Sequence, residues 1–339
     1  MTKTLFVSDM DGTLLNADAK ISERTSRIIT ELTDAGAYIT VATARTPATV
    51  QDLLSGTRFR LPAIVMTGAA LWHTDTQVFS DVRFIPADQY AAIDEAYARA
   101  GVCPFIYSLG DGNILQVYHR DNDMDPAERK FVDERRHLTL KHFNIGVLPP
   151  AHSDNRRMLQ FAMGPEDVMR NTAEVLRSAT DCQVTIYRDT YTDAWILEVF
   201  APGVSKAEAI TRMKERIGAD RVVVYGDNLN DLPMMKIADV SIVVDNALPQ
   251  VKAAADYVIG PHTADAVALS MQALFNACLK ECTPLPKLRM ILGRRAAPKI
   301  IRPMRRRSHN WAPRRPKKRS IVVEIDMIIL IFGGSYVPM

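Results

Sequence analysis

Two carboxylates one residue apart, Asp9 and Asp11, stand in the stretch DMDGT directly after the apolar run TLFVS, residues 4–8. In extended or loop backbone such a pair can face one point, and a third acid brought from elsewhere would concentrate negative charge enough to demand a cation. Asp227 and Asp231, in GDNLND at 226–231, are candidates for that third acid, and Asn230 lies between them. No His or Cys clusters with these acids, so the donors are oxygens, which suit a hard divalent ion such as Mg2+. Thr43, Arg45 and Lys206 are further polar residues at element ends. Taken singly, each has a plainer meaning. The Asp pair could be a solvated turn, Thr43 a strand end, Lys206 a solvated helix residue, and Asn230 or Asp231 a helix N-cap.

The elements needed to bring these residues together can be read from the pattern. The run at 4–8 predicts a buried parallel strand followed by a loop. Ser22 can cap a helix that runs to about Ala35 and ends at Gly36, and YITVAT at 38–43 supplies a second strand. Pro47 suits the first turn of a short helix to about Leu54, and AIVMT at 63–67 reads as a third strand. The same grammar returns in VVVYGD at 222–227, VSIVV at 240–244 and DYVI at 256–259. In an open parallel sheet, ligands bind beyond the carboxyl ends of the strands, which is where Asp9, Asp11, Thr43, Arg45, Asp227, Asn230 and Asp231 fall.

Residues 83–200 have a different texture, with a helix expected at 87–100 and strands at 158–163 and 195–200. The expected architecture is therefore α/β: a Rossmann-like parallel sheet core from residues 1–82 and 201–282, with an inserted α+β cap domain at 83–200. Leu71 and Trp72 against residues 77–79 read as a hairpin, either a flap over the site or an extension of a sheet.

DMDGT near the N-terminus, a strand ending in Thr43, Lys206 opening a helix after Gly-Val-Ser, and GDNLND resemble, in this order, the four motifs of the haloacid dehalogenase superfamily. Within it, residues 1 to about 280 are similar to the Cof-type phosphatases, which carry a large cap between the second and third motifs. The resemblance implies that Asp9 attacks phosphorus and binds Mg2+. It implies that Asp11 serves as general acid and then base, with its main-chain carbonyl also on the metal. Thr43 and the neighbouring backbone, Ala44 included, would hold phosphate oxygens together with Asn230, and Met10 and Gly12 would offer backbone contacts. Lys206 would pair with Asp9 and the phosphate, and Asp227 would complete the metal site with Asp231 nearby. The substrate implied is a small phosphorylated metabolite, in particular a sugar phosphate.

Such chemistry is demanding, because enzymes acting on phosphate monoesters reach accelerations of up to about 10^21-fold. General acid catalysis supplies roughly 10^2 to 10^4 of that. The remainder must come from aligning Asp9 with phosphorus and from cations that stabilise charge on the phosphoryl oxygens. Three positions depart from the family pattern: Ala44, Thr67 and Ala266 stand where glycine, asparagine and glycine are usual. At Ala44 the added methyl is harmless only if φ stays negative.

The 339 residues, 47% of them hydrophobic, suffice for two domains. The net charge of +3 conceals an asymmetry. Residues 287–319 hold 14 Lys and Arg with no acid, whereas residues 1–286 hold 28 Lys and Arg against 37 Asp and Glu. The segment 283–339 is expected to be a disordered basic tail, with nucleic acid an unfavoured partner. No apolar span approaches the length of about 20 residues a membrane helix needs. Cys103, Cys182, Cys278 and Cys282 are scattered and no secretory leader precedes them, which suggests free thiols in a cytoplasmic protein. Two other functions fit the same residues: phosphomutase-type transfer to a sugar hydroxyl, and a non-catalytic anion or nucleic-acid binder acting through the tail.

Overall fold

The computed structural model describes residues 2–279 apart from 121, 123, 151–155 and 189–193. The expected basic tail at 283–339, with Cys282, lies outside the described residues. In chain order the regular elements are β1 (Thr4–Ser8), α1 (Glu23–Asp34), β2 (Tyr38–Val41), α2 (Pro47–Leu54), β3 (Ala63–Val65), β4 (Ala70–His73) and β5 (Val78–Ser80). Then come α3 (Tyr90–Ala100), β6 (Phe105–Leu109), β7 (Leu115–His119), α4 (Pro126–Asp133), β8 (Lys141–Ile145), β9 (Arg157–Gly164), α5 (Glu166–Ala179), β10 (Gln183–Arg188) and β11 (Trp195–Phe200). The last are α6 (Lys206–Ile217), β12 (Arg221–Gly226), α7 (Leu232–Ile237), β13 (Val240–Val243), α8 (Pro249–Ala254), β14 (Tyr257–Val258) and α9 (Ala266–Leu279).

The first sheet is parallel throughout, in the order β14-β13-β12-β1-β2. Its strands are short apolar runs because helices cover them; Leu5, Val7, Val222 and Val224 are wholly buried. Each such side chain contributes about 1.5–3 kcal/mol on burial. From β1 the chain winds outward through α1 to β2, while β12, β13 and β14 wind outward on the other side. The strand order thus reverses between β1 and β12, and in parallel sheets of this kind the crevice forms at that point.

A second sheet has the order β10-β11-β9-β6-β7-β8 and is antiparallel except where β7 pairs with β8. α3 and α5 pack together over a separate apolar cluster that includes Ile93, Tyr97, Met169, Leu176 and Leu197. The mixture of a parallel α/β sheet with a mostly antiparallel one agrees with the fold class expected.

The hairpin at 70–80 is an extension of a sheet. β4 pairs with both β3 and β5, and Ala42 bridges to Ile64, which ties this three-stranded sheet to the end of β2. Trp72 is fully buried, meets Phe79 edge-on at 4.9 Å and donates from Nε1 to Gln51 Oε1 at 2.8 Å. Among the described residues no helix is long and apolar enough to cross a membrane. Cys103 and Cys182 form no disulfide.

Candidate active site

β1 delivers Asp9 to the crevice. Its five residues are all buried, and the Asp9 amide continues the ladder by donating to Tyr225 O at 2.9 Å. The chain then turns sharply through Met10–Leu14, closed by the Leu15 amide on Met10 O at 2.9 Å, with Gly12 at φ +72. A side chain could not replace that hydrogen: a Cβ on Gly12 would lie 2.5 Å from Asp227 Oδ2. The turn therefore presses against the end of β12, where Thr13 Oγ1 donates to Asp227 Oδ1 at 2.8 Å.

Lys206 arrives at the first residue of α6, whose N-cap Ser205 accepts from the Glu208 amide at 3.1 Å. Its ammonium is only 3% exposed and donates to Asp9 Oδ1 at 2.5 Å and Asp231 Oδ1 at 2.8 Å. Asp231 is fully buried, and its other oxygen accepts from the amides of Asp227 at 3.0 Å and Asn228 at 3.2 Å. Gly226 makes room for it, since a Cβ there would meet Asp231 Oδ2 at 2.7 Å.

Asp9, Asp227 and Asp231 each bring a carboxylate oxygen within 4.8 Å of the others. Burial, then the charge of Asp231, push the Asp9 carboxyl up to about 8 against the pull of Lys206. Burial also raises Asp227 to about 6, opposed chiefly by its hydrogen bond from Thr13. For Lys206, burial disfavours the charge, but Asp231 and Asp9 outweigh it and hold the group protonated. Three crowded acids against one ammonium leave the cluster short of positive charge. All-oxygen donors with that imbalance fit a hard divalent cation.

Asp11 faces elsewhere. Arg45 grips both of its oxygens, Nε to Oδ2 at 2.8 Å and Nη2 to Oδ1 at 2.6 Å, so its carboxylate is not one of the clustered three. Thr43 is buried and its Oγ1 accepts from the Arg45 amide at 3.1 Å. Ala44 is exposed and lacks positive φ, so its methyl costs nothing. Thr67 has φ 58, the left-handed region that asparagine tolerates and a β-branched residue adopts only with strain. Ala266 opens α9, directly after Asp265 at φ 56. Met10 is wholly buried, leaving only its backbone to the crevice, and Asn230 is exposed on the turn Leu229–Asp231.

Two residues escaped the reading of the sequence. Asn246, after β13, donates from Nδ2 to Gly12 O at 2.7 Å and so holds the turn at Met10–Leu14 from a third strand end. The rule that located Asp227 after β12 applies equally to it. Thr13 lay inside the quoted motif, but its contact with Asp227 spans 214 residues and leaves no local mark.

The family profile of the haloacid dehalogenase-like hydrolases matches residues 6–271, the stretch that builds this cluster. The chain belongs to that family. Among the relatives of this hydrolase is 5-amino-6-(5-phospho-D-ribitylamino)uracil phosphatase YcsE of Bacillus subtilis, 25% identical over 79% of this chain and 94% of that one. Another is pyridoxal phosphate phosphatase YbhA of Escherichia coli, 22% identical over 79% of this chain and 97% of that one. Among solved structures, the haloacid dehalogenase subclass IIB sugar phosphatase BT4131 superposes with a TM-score of 0.59 at 23% identity, covering 80% of this chain and 99% of that one. By family and relatives the chain is an enzyme of the phosphoric monoester hydrolase class.

Proposed function

We propose that this hydrolase is a Mg2+-dependent phosphatase of small phosphorylated metabolites, sugar phosphates foremost, and that it works through a phosphorylated Asp9. The observation that carries the reading is the joint position of Asp9, Lys206, Asp227 and Asp231 at the carboxyl ends of β1 and β12. The relatives named above act on phosphate esters of compact polar molecules, which supports the substrate class.

Asp9 and Asp227, with the Asp11 carbonyl and with Asp231 close by, would hold the ion. When bound, it would neutralise charge on the phosphoryl oxygens and on Asp9. Asp9 Oδ attacks phosphorus in line with the leaving oxygen, the P–O bond to the substrate breaks, and Asp11 supplies the proton that the leaving oxygen takes. Water then attacks the phosphorylated Asp9, giving its proton to Asp11 and releasing inorganic phosphate. Lys206 keeps Asp9 oriented and offsets charge that accumulates on the phosphoryl group. The Thr43 hydroxyl, the amides of Met10, Gly12 and Ala44, and the Asn230 side chain contribute donors to the phosphate oxygens. For Asp11 to reach the leaving group, the Arg45 fork must open, so substrate binding competes with that ion pair. In this reading residues 83–200 act as a cap whose inner surface chooses the substrate.

The test is release of phosphate from a panel of sugar phosphates and other small monoesters, with and without Mg2+. Metal-dependent release that an Asp9→Asn variant lacks is the expected result. Full turnover by that variant would end the proposal.

A further inference from the structure

Apart from the acidic crevice, the described residues line a cavity of about 610 Å3 that opens to solvent, and none of Asp9, Asp11, Lys206 or Asp227 lines it. It lies where Phe84 and Ile85 run from the three-stranded sheet toward β9, the Ile85 amide donating to Arg157 O at 2.8 Å. Its volume falls within the range of about 300–1,000 Å3 typical of small-molecule sites. The walls are apolar, supplied by Val102, Pro104, Ile106 and Pro149, and Leu148 at the rim is 58% exposed.

The cavity's charged groups are Asp94 and three arginines, Arg120, Arg156 and Arg157, which leaves a surplus of positive charge. Arg157 is 8% exposed, forks onto Asp94 at 2.6 and 3.0 Å, and lies 4.3 Å over the Tyr90 ring. Its Nε and the hydroxyl of buried Tyr97 have no hydrogen-bond partner among the described residues. Leaving such a donor buried without an acceptor costs about 1–3 kcal/mol, which a ligand acceptor would recover. Asp94 offsets Arg157, whereas Arg120 and Arg156 make no ion pair among the described residues. Arg156 stacks on Phe84 at 3.7 Å, which holds the guanidinium plane while leaving its N–H edge to bond an anion. The rings of Phe84, Tyr90, Tyr97 and Tyr118 line the cavity and favour a planar body, and the surplus arginine favours an anionic group on it.

We propose that this cavity is a second small-molecule site, separate from the acidic cluster, for a compound with a planar apolar body and one anionic group. Naphthalene-1-sulfonate is a suitable probe, because it has that form and carries no hydrolysable phosphate. With the full chain in Mg2+, calorimetry should give one site per chain. The Arg120→Ala/Arg156→Ala double variant should bind about tenfold more weakly or worse, and naphthalene-1-methanol, which lacks the charge, should lose at least as much. Ala98→Trp, on the exposed side of α3 and at the cavity wall, should abolish binding. An unchanged thermal melting midpoint in these variants would show that the fold is intact. Saturating probe should leave the KM of a phosphate-ester substrate as it was. The proposal fails if wild type binds no probe, if Ala98→Trp binds it normally, if charge on the probe or on Arg120 and Arg156 makes no difference, or if the probe competes with substrate for the acidic crevice.

Discussion

The Lys206 ammonium lies 2.5 Å from Asp9 Oδ1 while also holding Asp231 at 2.8 Å, so one cation at the start of α6 ties together the ends of β1 and β12. Replacing it with methionine leaves three acids crowded without a counter-charge. Lys206→Met should lower turnover by roughly 10^2 to 10^3 and reduce stability by about 3–5 kcal/mol in the absence of metal. Denaturant melts of Lys206→Met and of the double variant with Asp9→Asn check the origin of the loss. Removing one acid along with the lysine should restore part of the stability; an additive result would show that the pair is not coupled.

The metal-free protein should become less stable as pH rises. Asp9 and Asp227 titrate near 8 and 6 when folded and near 3.8 when unfolded. Between these values the folded state binds more protons than the unfolded one, so the stabilisation is present below about pH 4 and is lost progressively up to about pH 8. Thermal melts in chelator from pH 5 to 8 should show a falling midpoint, with a shallower fall for Asp9→Asn. A midpoint that rises over this range in the wild type and not in the variant would contradict the burial argument.

Chelation should stop turnover and Mg2+ should restore it. Because the ion binds the folded cluster, Mg2+ at 100 times its dissociation constant should add about 2.7 kcal/mol of stability. Asp227→Asn should weaken this Mg2+-dependent shift, as should Asp231→Asn, whereas Asp11→Asn, whose carboxylate lies with Arg45, should retain it while losing turnover. Calorimetric titration of the four proteins with Mg2+ reads the difference directly.

Gly12→Ala places a methyl against Asp227 Oδ2 in backbone at φ +72. The expected cost is about 1–2 kcal/mol in backbone strain, and a turn displaced by about 1 Å should lower turnover by about 10^2. Steady-state kinetics beside a urea melt separates the two effects.

Thr67 carries an opposite prediction. At φ 58 its branched side chain is strained, and Thr67→Asn should gain about 1 kcal/mol. A denaturation midpoint that falls in this variant would mean that the hydroxyl is needed where it stands.

Local rules placed much of the first sheet. TLFVS is β1 to the residue, Ser22 does cap α1, and Lys206 does open α6 behind Ser205, because apolar runs and capping side chains act over a few residues. The third expected strand is shorter than AIVMT suggested: β3 ends at Val65, since Met66 and Thr67 have positive φ. The helix expected at 87–100 starts as a separate turn at Ala87–Gln89 before α3. β6, β7 and β8 come in addition to the strands expected at 158–163 and 195–200, and β8 lies parallel beside β7, a pairing set by packing rather than by adjacency in the chain.

What the chain determined by itself was chemical type: acids at strand ends, a lysine at a helix start, glycine where the turn needs it. Tertiary structure decided distance and environment. Only the fold brings Lys206 onto Asp9 across 197 residues, seats Asp231 rather than the Asp11 carboxylate in the cluster, and gives Asp11 to Arg45. The reason is that a charge's behaviour depends on what surrounds it within a few ångströms and on how far water is excluded. Those quantities exist only once strands distant in sequence have paired.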